Sequence, residues 1–414
     1  MPQAPLGSLP RSERLPTLDI LRGFALMGIL IMNMPGFAAS IFAEADGSFL
    51  WTAPADRLAE QLRETLFSGK FNSMFSLLFG IGFTIQYQRM LDAHPADPGQ
   101  AGRLYLRRLL VLLAMGVVHA CVFWTGDVLH TYALLGIVLL FGLRRVSDRG
   151  VAVLIGACLV YPAVAGLIRV AFVSPEFTAR RVAQAQAFEA SNNAAYGHGS
   201  FADMVHENLR VMAHFYLDLY SLWGTFGWYV MLAMTMMIGL LAGRRRWVQR
   251  VDELMPRIRR LMWAALALGL ACGALATLIF ELNRVPGPSL IKTLGSVSYG
   301  LSRLAMMIFY VLLIVRVAHT PGGRRWLAPF EAAGRLPLTN YLMQTAICIT
   351  LFSGWGFGLW LKVGPALQLA LALGIFFLVQ VPWSLWWLRR HERGPLEAMW
   401  ARLTYGRTAR LSPG

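Results

Sequence analysis

The sequence predicts an all-α, polytopic membrane helix bundle of about ten transmembrane helices, with the N- and C-termini cytoplasmic. Three observations carry that prediction. Of the 414 residues 56% are apolar and only 14% charged, where a soluble domain carries roughly 25% charged residues. The apolar residues gather into runs near the ~20 residues that a helix needs to cross a bilayer, where no water satisfies a free backbone N–H or C=O. Basic residues alternate in density between successive connecting segments, as the positive-inside rule demands.

The expected spans are 18–42, 68–88, 109–124, 126–143, 151–172, 218–243, 261–282, 297–315, 334–353 and 366–388. The first follows Arg11 and Arg14, and Ala43-Glu44-Ala45 loosely mimics a cleavage site. Asp19 and Arg22 inside the run, and its length, favour a retained helix over a signal peptide. The third and fourth are short and meet at Gly126-Asp127, and the ninth is interrupted by polar residues. With the N-terminus in the cytoplasm, the segments on that side hold 25 Lys+Arg in 105 residues and the opposite segments 8 in 97. A wrong number of spans would scramble this bias. The five basic residues left within spans are Arg22, Lys70, Arg169, Arg303 and Arg335. Arg169 and Arg303 read as side chains snorkelling from outer helix ends.

This order divides the chain into a cytoplasmic tail 1–17, a five-helix half 18–172, an extracytoplasmic loop 173–217, a second five-helix half 218–388 and a cytoplasmic tail 389–414. In the loop, 201–210 reads as an amphipathic helix near the surface. In the last tail Gly394-Pro395 opens a short helix whose Leu396, Met399, Trp400 and Leu403 recur at helical spacing, suited to the headgroup region.

Several classes are set aside. The net charge of +16 sits between apolar runs, so it reports topology rather than nucleic acid. Cys121, Cys158, Cys272 and Cys348 lie in apolar runs without C-x-x-C spacing, so neither a disulfide framework nor a metal site is expected. No Walker or dinucleotide motif, no internal repeat and no pair of half-helices in matching positions stands out, which weighs against an ATPase or an inverted-repeat transporter.

A charge near mid-membrane costs at least roughly 2.5–3.5 kcal/mol, so each such residue is a candidate for function. Asp19 and Arg22 share a helix face, and Asn33, eleven residues beyond Arg22, returns to it about 16 Å further along the axis. A guanidinium at that depth suits a phosphate or carboxylate. The plainer reading is an Asp19–Arg22 pair that fixes the helix end while Asn33 bonds a neighbouring helix. The second group runs from His119 to Tyr132. His119, near the middle of its helix, is a natural general base, and Asp127 either caps the next helix or holds an imidazole in its proton-accepting tautomer. His130 and Tyr132 open that helix. Lys70 starts the second span, and Asn340 and Gln344 belong to a polar stripe on the ninth with Tyr341 and Thr345. These side chains either touch substrate or hydrogen-bond between helices.

The residues Leu18-Asp19-Ile20-Leu21-Arg22-Gly23-Phe24 through Asn33, Gly69-Lys70-Phe71, Phe75-Ser76-Leu77-Leu78-Phe79-Gly80, Gly126-Asp127-Val128-Leu129 and Tyr132-Ala133-Leu134-Leu135-Gly136 resemble the YeiB-like bacterial inner-membrane proteins. Gly334-Arg335, Leu338-Thr339-Asn340-Tyr341 and Gly394-Pro395-Leu396-Glu397 resemble that family's C-terminal domain of unknown function. The resemblance implies a multi-pass protein of the bacterial inner membrane. The N-terminal motif also resembles the transmembrane acyltransferase superfamily, which implies an acyltransferase-like first half. In that superfamily's O-acetyltransferases an Arg is followed eleven positions on by a catalytic His. Here Arg22 is followed by Asn33, as in the lysosomal heparan glucosaminide acetyltransferase, and the next histidine is His119.

The resulting expectation is an acyltransferase that uses acyl-CoA as co-substrate and no metal. Arg22, Asp19 and Lys70 would bind the donor, with His119, Asn33 and Asp127 catalytic. His130, Tyr132, Asn340 and Gln344 would meet a small-molecule or glycan acceptor. Membrane lipids surround the chain, a homodimer is one option, and a transporter or flippase for a small or lipid-linked molecule is the competing class.

Overall fold

The computed structural model describes residues 15–406; Arg11, Arg14 and the ends of both expected tails lie outside the described residues. The described residues form helices, turns and loops without a strand. Pro16 sits at the first helical position of α1 (Pro16–Ala38), where its missing N–H costs nothing. Fourteen of its 23 residues are buried, which makes α1 the axis of the bundle. It is followed by α2 (Pro54–Leu66), α3 (Lys70–Ala93), α4 (Pro98–Val118) with a π turn at His119–Phe123, and α5 (Leu129–Val138) with a π turn at Leu139–Leu143. Then come α6 (Asp148–Phe172), α7 (Pro175–Gly197), α8 (Phe201–Leu217), α9 (Leu219–Arg244), α10 (Val251–Leu282) and α11 (Leu290–Ala318). The last are α12 (Gly323–Gly334), α13 (Pro337–Phe352), α14 (Pro365–Gly374), which runs through a π turn at Ile375–Gln380 into α15 (Val381–Leu388), and α16 (Pro395–Tyr405).

Among the described residues seven helices are long and apolar enough to cross a membrane: α1, α4 with its π turn, α6, α9, α10 with the turn before it, α11, and α14 with α15. Val153, Val160, Leu167 and Phe172 on α6, with Leu261, Leu268 and Leu278 on α10, turn apolar side chains outward. That is a surface lipid would cover. The protein is a multi-pass membrane protein. The other three expected spans fall on α3, on α5 with its π turn and on α13. The last two are 15 and 16 residues long, about 22 and 24 Å against a hydrocarbon core of about 30 Å.

Small residues set the closest helix approaches. A β-carbon on Gly80 would stand 2.1 Å from the Met236 carbonyl oxygen, and one on Gly239 2.1 Å from that of Leu77. The Ser76 hydroxyl donates to the Leu232 carbonyl at 2.7 Å. Rising residue numbers on α3 therefore meet rising numbers on α9, so the two run parallel. α10 and α11 form an antiparallel pair in which Gly269 faces Met306 and Gly273 faces Ser302. α12 lies on the first turns of α1, with Gly334 against the Asp19 carbonyl and Gly23 against that of Phe330.

Two segments outside the expected spans pack against the bundle. Residues 43–67 contain α2, which lies antiparallel to α10 through Arg57–Glu281 (2.5 Å) and Thr65–Thr277 (3.1 Å). Since α9 and α10 are consecutive and antiparallel, α2 and α3 run in the same direction, separated by a break at Phe67–Gly69. Gly69 has φ +73°, and both Tyr299 and Arg303 occupy the space where a β-carbon would project. The tail helix α16 does not simply lie on a headgroup surface. Glu397 accepts from the Leu338 and Thr339 amides at 2.7 and 3.0 Å, capping α13, and the Trp400 indole N–H donates to the Arg108 carbonyl at 3.0 Å.

Replacing Gly80 by Val should destabilise the bundle by about 1–3 kcal/mol or more, because a close-packed seam cannot absorb the branch. Thermal unfolding in detergent reads this directly, and an unchanged Tm would refute the α3–α9 seam.

Candidate functional site

The polar centre of the bundle is assembled by the turn between α4 and α5. Gly116 allows the close approach, since a β-carbon there would stand 2.3 Å from the His130 amide nitrogen. The π turn that begins at His119 ends the helix at Trp124, which stacks on Phe37 and donates its indole N–H to the Gly36 carbonyl at 3.1 Å. Asp127 then lies buried between two imidazoles. Its Oδ1 is 2.8 Å from His119 Nδ1, and its Oδ2 is 2.6 Å from His130 Nδ1 and 2.9 Å from the His130 amide. Capping and imidazole orientation, posed above as alternatives, are both realised by this one side chain.

An ionised carboxylate only accepts hydrogen bonds, so both Nδ1 atoms carry the proton and both Nε2 atoms keep a lone pair. This tautomer is assigned from the hydrogen-bond network. The Thr345 hydroxyl then donates to His119 Nε2 at 2.9 Å, and the Tyr216 hydroxyl to His130 Nε2 at 2.5 Å, with Tyr229 2.9 Å behind Tyr216. Tyr341 packs its ring 5.5 Å from His119 and accepts from the Val128 amide at 3.3 Å. His119, Asp127, His130, Thr345 and Tyr341 are all buried. Oxygen, imidazole and carboxylate thus form the hydroxyl–His–Asp order that makes a hydroxyl nucleophilic.

Tyr132 turns away from the imidazoles toward α3, where it donates to the Asn72 carbonyl at 2.8 Å and stacks on Phe75 and Phe79. Asn33 shares the α1 face of Gly36 and Phe37, which meets Trp124, and is half-buried. Arg22 and Asp19 pair at 2.5 Å near the start of α1. Lys70 is not brought to them; its ammonium donates to the Glu64 carbonyl at 2.7 Å. Asn340 and Gln344 look the other way. Asn340 donates to the Ala333 carbonyl and to Ser384, and Gln344 to the Leu26 carbonyl and to Gln380. Arg303 is no snorkelling end: it is 3% exposed, and its Nε donates to Ser73 Oγ at 2.5 Å. Thr345, Tyr216 and Tyr229 complete the centre without having been singled out as site residues, and only Thr345, in the polar stripe, carried a sequence signal.

Residues 242–407 match the family described as "Protein of unknown function (DUF418)". The chain is 29% identical over 408 residues to "Uncharacterized protein YxaH" of Bacillus subtilis, covering 95% of each chain. It is 26% identical over 407 residues to "Uncharacterized protein YeiB" of Escherichia coli, covering 95% of this chain and 96% of that one. The similarity to these two proteins runs along nearly the whole chain. A protein of Bacillus acidopullulyticus, "Uncharacterized 39.9 kDa protein in amylase 3'region", is 26% identical over 402 residues, 95% of each chain. The His119–Asp127–His130 centre lies before the segment that matches the family and Thr345 lies within it, so the site joins both halves.

Tyr216→Phe should cost about 1–3 kcal/mol, because it leaves His130 Nε2 buried beside only the Thr131 hydroxyl at 3.5 Å. A Tm equal to that of the parent protein would show that the Tyr216 bond does not hold α8 to the centre.

Proposed function

We propose that this protein is an inner-membrane acyltransferase that moves an acyl group from acyl-CoA to a hydroxyl or amine of a glycan or other small acceptor. The reading includes ten crossings with both termini cytoplasmic, the three short or polar segments crossing where neighbouring helices cover their ends. What supports it is the buried His119–Asp127 pair with a hydroxyl already held at His119 Nε2. An acceptor hydroxyl that takes the place of Thr345 there loses its proton to His119 as its oxygen attacks the thioester carbon. The C–S bond breaks, and the imidazolium returns the proton to the departing thiolate. Asp127 keeps the imidazole in the accepting tautomer and stabilises the imidazolium. Asn33 would donate to the carbonyl oxygen as charge develops. Arg22, at the end of the bundle where basic residues are dense, would meet the phosphates of the donor.

A transporter for a small anionic molecule is the second reading, favoured by the interrupted α2–α3 passage. Half-helices that begin within a bundle are a common way to present an N-terminus to an anionic substrate.

His119→Ala should lower acyl transfer by about 10²–10⁴-fold, the usual contribution of a general base. Release of CoA thiol by the purified protein, with the folded state checked by its Tm, measures it; undiminished turnover would remove His119 from the mechanism. Asp127→Asn should lower the rate by a similar factor, because the amide can donate to Nδ1 and place the proton on Nε2. Acetyl-CoA at 100 times its Kd should stabilise the protein by about 2.7 kcal/mol. No shift at millimolar CoA, joined to uptake of substrate by vesicles, would favour the second reading.

A further inference from the structure

The break between α2 and α3 gathers two buried cations without a carboxylate in contact: Glu64 acts on Lys70 only through space, and the Arg303 guanidinium lies over the Trp228 ring at 4.8 Å. Lys70, the first residue of α3, is fully buried, and Arg303 is 3% exposed. The two are close enough to repel each other electrostatically. Among the described residues no carboxylate lies within salt-bridge distance of either. Glu64 offers Lys70 its carbonyl, while its partly exposed carboxylate pairs with Arg63 at 3.0 Å. The other buried acids are also committed: Asp127 to the two imidazoles, and Glu207 to Arg210 and Ser191.

The start of α3 adds a third positive source. Its N-cap is Gly69, which provides no side-chain acceptor, and a helix of 24 residues carries a partial positive charge at this end. A cation belongs at the other end of a helix. Yet the Arg303 guanidinium lies against this first turn: a β-carbon on Gly69 would stand 3.2 Å from its Nε, and that Nε donates to Ser73 Oγ. Arg303 Nη2 is buried and has no hydrogen-bond partner. Tyr299 adds a hydroxyl beside Gly69, 3.1 Å from Ser68 Oγ.

We infer that this break is a binding site for one small monovalent anion, a halide or the carboxylate of a short acid, held by Arg303 Nη2 and Lys70 at the N-terminal end of α3. The anion satisfies the orphan donor, offsets the two cations and is favoured by the helix dipole. Two buried cations beside a helix N-terminus are otherwise a charge excess that the fold would expel or neutralise. The break lies apart from the His119–Asp127 pair, and the inference holds whether or not the protein transfers acyl groups.

The test is the thermal stability of the detergent-purified full chain in sodium gluconate, whose anion is bulkier than bromide or acetate. Sodium bromide or sodium acetate then replaces it at constant ionic strength. Either small anion should raise Tm by several degrees, bromide alone identifying a halide site and acetate alone a carboxylate site. In Arg303→Gln and in Lys70→Gln the rise should be lost or strongly reduced. In gluconate, Arg303→Gln should be at least as stable as the parent, because an unbalanced charge has been removed. Equal Tm in all three salts would overturn the proposal. So would a full anion response in both variants, or an Arg303→Gln protein that is less stable in gluconate while the response persists. Bromide-soaked crystals give a check independent of folding: an anomalous peak within hydrogen-bonding distance of Arg303 supports the site, and peaks only elsewhere refute it.

Discussion

A single buried carboxylate dictates the arrangement of the bundle's polar centre. In an apolar interior Asp127 is tolerated only if its lone pairs are filled, and they are filled by His119, by His130 and by the amide that opens α5. Each imidazole must then find an acceptor's complement for its second nitrogen. His119 finds it on α13 at Thr345, and His130 finds it on α8 at Tyr216. One charge in low dielectric thereby ties the α4–α5 turn to two helices far from it in the chain, α13 and α8. The π turn at His119 and the glycine at 116 are the backbone's answer to that demand, one aiming the ring and the other letting α5 approach.

The helix α13 shows how such a centre is kept in register. Its Tyr341 and Thr345 face His119, whereas Asn340 and Gln344 bond Ser384, Gln380 and backbone carbonyls on α12 and α1. Gln380, at the end of another π turn, returns a bond to the Asn340 carbonyl at 2.8 Å. Glu397 closes the start of the helix from α16. A helix of 16 residues thus has polar anchors on its far face and at its first turn. Thr345 is held at His119 by the whole of that scaffold rather than by its own bond, and the bonds of Asn340 and Gln344 to neighbouring helices and carbonyls account for why they are polar.

The long apolar helices were legible because hydropathy and charge bias both report burial in lipid, and the Asp127 cluster because its three members lie within twelve residues. What was not legible depended on distance in sequence or on a helix end. Thr345 meets His119 across 226 positions and Tyr216 meets His130 across 86, and no local pattern signals such pairs. Arg303 reads as an outer end when the span starts at 297; α11 begins at Leu290, and seven further residues place the guanidinium two turns deeper. Residues 43–67 are polar and fall between expected spans, so the sequence offers them only as a connection. In the structure Arg57 of α2 pairs with Glu281 on α10, and Asp56 caps α14, its Oδ1 accepting from the Ala366 amide at 3.0 Å.

The two charged centres of the bundle are joined through Tyr132. Tyr132, two residues beyond His130, donates to the carbonyl of Asn72 in the first turn of α3, and its hydroxyl feels the fields of both Arg303 and Asp127. Its ring stacks on Phe75 and Phe79 of α3, while its backbone amide closes the first turn of α5 on the Val128 carbonyl at 3.0 Å. One side chain therefore ties the start of α3 to the helix that carries His130, and the register of the two centres is set by packing as well as by hydrogen bonds.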